Sequence, residues 1–152
     1  MPLFKVDGLD DLMKTIEKAG QLNNDQLMNE MLNEGGKVVE EEWVKEIRSL
    51  DLISPGPITK KNMIANVKGS RPKKNKHGRI KYIYPMGEEK RDRGNVRHAA
   101  KAFYQHYGYF NVLTGKRVPG KFFVDKIEKR AENRAVQIMQ KIFEDYMNSI
   151  QK

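Results

Sequence analysis

Histidines are the first residues to weigh for chemistry, because an imidazole can ligate a metal or move a proton near neutral pH. The chain has three, His77, His98 and His106. No two are spaced i, i+4, the spacing that places two imidazoles on one helical face for zinc, and no cysteine is present to complete a ligand set. Surface or hydrogen-bonded histidines are therefore expected. The run Glu40-Glu41-Glu42 supplies adjacent carboxylates. Consecutive residues of a helix point to different faces, so these read as a solvated face and not as an acid–base pair. Thr114-Gly115-Lys116 looks like the end of a phosphate-binding loop, but the upstream glycine is missing and Arg117 stands where Ser or Thr should hold magnesium. No nucleophile, base and orienting group can be assembled. The expectation is a protein without catalysis, metal, cofactor or small-molecule substrate.

Binding chemistry is better represented. Net charge is +9, from 29 basic and 20 acidic residues. From Leu52 to Gly87 there is no acidic residue and there are nine Lys or Arg, whereas the first 46 residues lean acidic. Arg71, Lys73, Lys74, Lys76 and Arg79 cluster in the stretch RPKKNKHGR, residues 71–79. Such a cluster can hold phosphates without reading sequence, or it can be a solvated loop that orders against a partner. Tyr82, Tyr84, Tyr104, Tyr107 and Tyr109 could stack bases beside it, although core and interface packing is the commoner use of tyrosine. The charge asymmetry fits contact with a polyanion, or subunits that join basic surface to acidic surface.

The elements that must position these residues are mostly helical. Leu9, Leu12, Met13 and Ile16 predict a short amphipathic helix, with Asp7 as N-cap, Asp10 in its first turn and Gly20 as its stop. Asn23 and Gln26 resemble a capping box. Beyond them Leu27, Met31, Val38, Val39, Trp43, Ile47 and Leu50 keep one stripe over a long helix, interrupted by Gly35-Gly36, where a kink or a close crossing is expected. Ser54-Pro55-Gly56-Pro57 ends that helix. Met63 to Val67 reads as a short strand, and the alternation of Ile80, Tyr82 and Tyr84 makes Arg79 to Tyr84 another. Between them, about 70–79, a mobile hairpin loop is expected. Glu88 to Arg97 reads as a charged connection. Ala99, Ala100, Phe103 and Tyr107 give a helical stripe closed by Gly108, and Tyr109 to Lys121 reads as a second loop. A last long helix carries Val124, Ile127, Ala131, Ala135, Ile138, Ile142, Tyr146 and Ile150 on one face.

At 152 residues the sequence predicts one domain of α+β class. Apolar residues make up 38%, below the usual ~45–50% that also counts glycine, and charged residues 32%, which suits helices and arms around a modest core. The absence of cysteine fits a reducing compartment. No apolar run approaches the ~20 residues of a membrane helix, and the opening MPLFKVDGLDD lacks a secretory h-region.

Three segments share a resemblance. Lys5-Val6-Asp7-Gly8-Leu9-Asp10-Asp11-Leu12, HAAKAFYQHYG at residues 98–108 and VPGKFFVDKIEKRAE at residues 118–132 are similar, in order and spacing, to the tail-completion (head–tail joining, minor tail component) proteins of long-tailed phages. Two features depart from that family. His106 stands where an acidic residue is common, and Pro119-Gly120-Lys121-Phe122-Phe123 loosens the usual Arg-Pro-aromatic approach to the last helix. The resemblance implies an α+β fold with helices on a small antiparallel sheet, no catalysis, and no cofactor. It implies a structural role in rings between head connector and tail, in a virion or phage-like particle assembled in the host cytoplasm. The implied partners are further copies of the chain and other neck or tail-tube proteins. Sequence-nonspecific nucleic-acid binding is the alternative, since phage DNA passes through a neck. Tyr109, Phe110, Val112, Leu113, Val118 and Phe122 are the candidate assembly contacts, because four apolar residues in the 109–121 loop exceed what a solvated turn needs. Of the paired Phe122 and Phe123, one ring is expected to seal the core and the other to face outward.

Overall fold

The computed structural model describes residues 24–50, 62–76, 78–91 and 94–150. The expected first helix with Asp7, Asp10 and Gly20, the Asn23 half of the capping pair, the Ser54-Pro55-Gly56-Pro57 stop and His77 lie outside the described residues. The fold is α+β. Among the described residues the helices are α1 (Asn24–Ser49), α2 (His98–Tyr107) and α3 (Phe123–Ile150), and eight short strands pair into two-stranded antiparallel ladders. No helix among the described residues is long and apolar enough to cross a membrane.

The core lies where α1 packs on α3. The predicted stripe of α1 is buried at Leu27, Met31, Val38, Val39, Trp43 and Ile47. Facing it, α3 buries Phe123, Ile127, Ala131, Ala135 and Met139. Their strict four-residue repeat drifts by about 40° per step on a helix of about 3.6 residues per turn, so the seam winds round α3. Val124, Ile138, Ile142 and Tyr146 of the predicted stripe consequently sit at its half-buried edge. Trp43 meets Phe123 edge to face, with ring centroids 5.6 Å apart. The helix passes unbroken through Gly35-Gly36, and the pair marks close approach. A Cβ on Gly35 would lie 2.1 Å from Met139 Cε, and one on Gly36 3.1 Å from Ile83 Cδ1.

Several irregular stretches differ from expectation. Met63–Asn66 is a single 3-10 turn. Neighbouring Met63 and Ile64 are both buried, which a strand covered on one face alone, with its alternating side chains, would not arrange. Asn66 Nδ2 closes the turn on the Asn62 carbonyl at 2.8 Å. Strand β1 (Val67–Gly69) follows. The 71–79 stretch is a two-stranded arm, β2 (Lys73–Asn75) on β3 (Gly78–Ile80), and β4 (Ile83–Pro85) returns to β1. The expected Arg79–Tyr84 strand is therefore two strands broken at Lys81 and Tyr82. Val67 pairs with Pro85, but Lys73 pairs with Ile80, so the outgoing strand carries one extra residue. Pro72 has no N–H for the ladder, and the slip falls beside it. The core-facing residues are Ile83 and Pro85, with Tyr82 and Tyr84 half-buried. The expected charged connection is a hairpin, β5 (Glu88–Arg91) on β6 (Gly94–Arg97). It turns back into α2, to which the Glu89–Lys101 ion pair ties it.

Several charges are matched across elements. Glu46 and Glu42, both buried on α1, take Arg130 at 2.6 Å and Arg134 at 3.0 Å from α3. On another side of α1, Arg79 pairs with Asp25 and donates to Asn29 at 2.8 Å, Lys81 donates to Asn33 at 2.8 Å, and Glu40 accepts the Gly69 N–H at 2.7 Å. Part of the acidic-to-basic complementarity seen in the sequence thus holds the arm onto its own helix.

Candidate interaction surface

The 109–121 stretch, expected as a loop, is a hairpin of β7 (Gly108–Asn111) and β8 (Lys116–Pro119). Gly108 ends α2 at φ +84 and donates to the Tyr104 carbonyl. Across the base of the hairpin Gly108 and Gly120 lie too close for side chains, since a Cβ on Gly108 would fall 2.5 Å from the Val118 carbonyl oxygen. At the tip, the Asn111 carboxamide oxygen accepts the Leu113 N–H at 3.0 Å and the Thr114 N–H at 3.3 Å, and Gly115 turns the chain at φ +64. Thr114-Gly115-Lys116 is therefore a strand-to-strand turn, with no helix behind it to cradle phosphate.

This hairpin lifts Val112 and Leu113 away from the body, where they are 84% and 97% exposed. Tyr109 and Phe110 are exposed on β7, and Val118, paired opposite Tyr109, is half-buried. Phe122 has the positive φ of +46, unusual for a residue with a side chain. That turn sends its ring outward while Phe123 is wholly buried.

Helix α2 extends the apolar surface because the face it buries is turned about 100° from the expected one. Its buried stripe is His98, Ala102 and His106, not Ala99, Phe103 and Tyr107. Phe103, Tyr104 and Tyr107 are left exposed. They join the hairpin through ring contacts, Phe103 to Tyr107 at 4.8 Å, Tyr104 to Tyr109 at 6.1 Å and Tyr107 to Phe122 at 6.5 Å. Beside them opens a mainly apolar cleft of about 80 Å³, lined by Trp43, Tyr84, Ala99, Phe103, Tyr107 and Val124 among others. Only the aromatic density of AFYQHYGYF signalled this surface in the sequence, because two helical stripes one residue apart were equally possible burial faces.

The two described histidines are core residues. His106 Nδ1 accepts the Val124 N–H at 3.2 Å, capping the first turn of α3. Backbone bonds join the same two segments, because the Lys121 and Phe122 amides donate to the Gln105 and His106 carbonyls at 2.9 and 3.0 Å. The histidine found where the resemblance expects an acid is thus the joint between α2 and α3. Burial lowers its pKa, while Asp125, 3.9 Å away, pulls it upward. His98 is fully buried, with Nε2 3.4 Å from Asn66 Nδ2 and no hydrogen-bond partner for Nδ1. Burial and then Lys101 lower its pKa, against Glu89.

The basic cluster is divided by the fold. Arg71, Lys73, Lys74 and Lys76 are exposed on or beside β2, whereas Arg79 is turned onto α1. Among the described residues no group of three or more His, Cys, Asp or Glu could hold a metal ion. No protein-family model, curated protein or solved structure matches the chain.

Proposed function

We propose that the chain is a structural component of a phage or prophage particle, joining head connector and tail by assembling into an oligomeric ring. The observation that carries the reading is the hairpin that holds Val112 and Leu113 in solvent beside a continuous aromatic surface. Apolar residues raised this far from a core are covered by a partner when they are used. The resemblance of residues 5–12, 98–108 and 118–132 to tail-completion proteins supplies the identity of the assembly. On this reading the protein acts in the host cytoplasm during assembly and then in the virion neck or tail, binds copies of itself and neighbouring neck or tail-tube proteins, and turns over no substrate. Electron microscopy and sedimentation of the purified chain test it. Rings or higher oligomers are expected, and a strictly monomeric chain at every concentration would overturn it.

A second reading, sequence-nonspecific nucleic-acid binding, is favoured by the exposed Arg71, Lys73, Lys74 and Lys76. With Arg79 held by Asp25, about four charges of this cluster remain for phosphates, so binding through it should make log K fall against log salt with a slope no steeper than about −4. A titration with short duplex DNA measures that slope.

A further inference from the structure

We propose that the tip of the β7–β8 hairpin seats in the apolar cleft of a second copy of this chain, with Leu113 as plug and the Ala99–Phe103–Tyr107 wall as socket. This inference rests on the ring-assembly reading and specifies its contact. Leu113 is 97% exposed, so it does not reach the cleft of its own chain. The cleft matches it in size. An enclosed apolar cavity of about 150 Å³ holds a benzene ring, and an open cleft of about 80 Å³ suits the four carbons of a leucine side chain. An acidic group beside the socket can also meet a basic plug. From Gly108 to Lys121 the chain carries Lys116, Arg117 and Lys121 and no acidic residue, with Lys116 and Arg117 exposed at the hairpin. At the cleft the exposed Asp125 follows the lining residue Val124, and its carboxylate lies 3.9 Å from His106, which also lines the cleft. Plug and socket are different patches of one chain. The contact is therefore heterologous, and each copy has one of each to pass on, which builds a ring when the rotation between copies closes.

The chain contains no cysteine, which makes the contact directly testable. Leu113→Cys protein is mixed with Ala99→Cys protein under mild oxidation, with Leu113→Cys mixed with Gln137→Cys as the control, Gln137 being exposed on α3. A disulfide-linked pair in excess of the control is expected. Leu113→Ala should also weaken self-association about tenfold or more in sedimentation. Leu113 is outside the core, so circular dichroism of this variant should match the parent chain. If the chain self-associates but gives no excess cross-link, or if Leu113→Ala associates as tightly as the parent, the plug-and-socket contact is wrong and the ring reading stands. If no variant nor the parent associates at any concentration, both fall.

Discussion

The His106 ring caps α3 only while it is neutral, because the nitrogen that accepts the Val124 N–H would become a donor on protonation. Burial keeps both His106 and His98 below the ordinary value of 6.5. The unfolded chain therefore binds these protons more readily than the folded one. Stability should be level above about pH 6.5 and fall below it, at no more than about 1.4 kcal/mol per pH unit for each histidine. Denaturant midpoints measured from about pH 8 down to about pH 5 test this, and His106→Gln, whose amide oxygen can accept the same bond without titrating, should flatten the acid limb. A level profile in the parent chain would refute it. The Glu46–Arg130 pair makes an asymmetric prediction. Glu46 is buried while Arg130 is half exposed, so Arg130→Ala strands a carboxylate in the core and should cost about 1–3 kcal/mol. Glu46→Gln, which keeps shape and an acceptor without the charge, should cost less in the same urea titration.

At the scale of elements, the glycines separate two kinds of close approach. Gly108 combines a positive φ with backbone neighbours. A methyl group there would stand 2.5 Å from the Val118 carbonyl oxygen and 2.7 Å from the Gly120 nitrogen, and neither can swing away. Gly35 meets the flexible side chain of Met139, most closely at its terminal methyl group and then at Cγ and Sδ. Gly108→Ala should lower the thermal midpoint sharply and release the hairpin from α2. Gly35→Ala should sit within about 1 kcal/mol of the parent, helix propensity offsetting the shifted thioether. The long helices were legible because seven or more turns of apolar periodicity cannot arise from a strand. The hairpins were legible only in part, since one was expected at about 70–79 whereas 88–97 read as a charged connection and 109–121 as a loop. Their strands are three or four residues long, too short for alternation to register, and β7 and β8 are joined by the four residues Val112-Leu113-Thr114-Gly115 and not by a two-residue Asn-Gly turn.

For the whole molecule, core and docking surface should separate in experiment. Val112→Ala with Leu113→Ala should leave the thermal melt nearly unchanged and abolish assembly, since both side chains lie outside the core. Ile127→Ala, fully buried on the α1–α3 seam, should cost about 2–5 kcal/mol. Ile138, on the predicted stripe but half-buried, should cost less. A loop variant that unfolds, or an Ile127 variant that does not, would invert the assignment of core and surface.

By itself the sequence determined the two long helices, the stop at Gly108 and the basic middle, all of which are local properties of composition and spacing. Only the tertiary structure decided which way α2 faces. The stripes His98–Ala102–His106 and Ala99–Phe103–Tyr107 differ by one residue, a rotation of about 100°, and burying the polar stripe becomes favourable only once Val124 of α3 is there to donate to His106. The basic residues were divided in the same way. Arg79 is indistinguishable in sequence from Lys73, Lys74 and Lys76, yet it lies against Asp25 because the β2–β3 arm folds back along α1 and brings together charges more than fifty positions apart. Pairing of that kind depends on where a distant element packs, which local pattern does not encode.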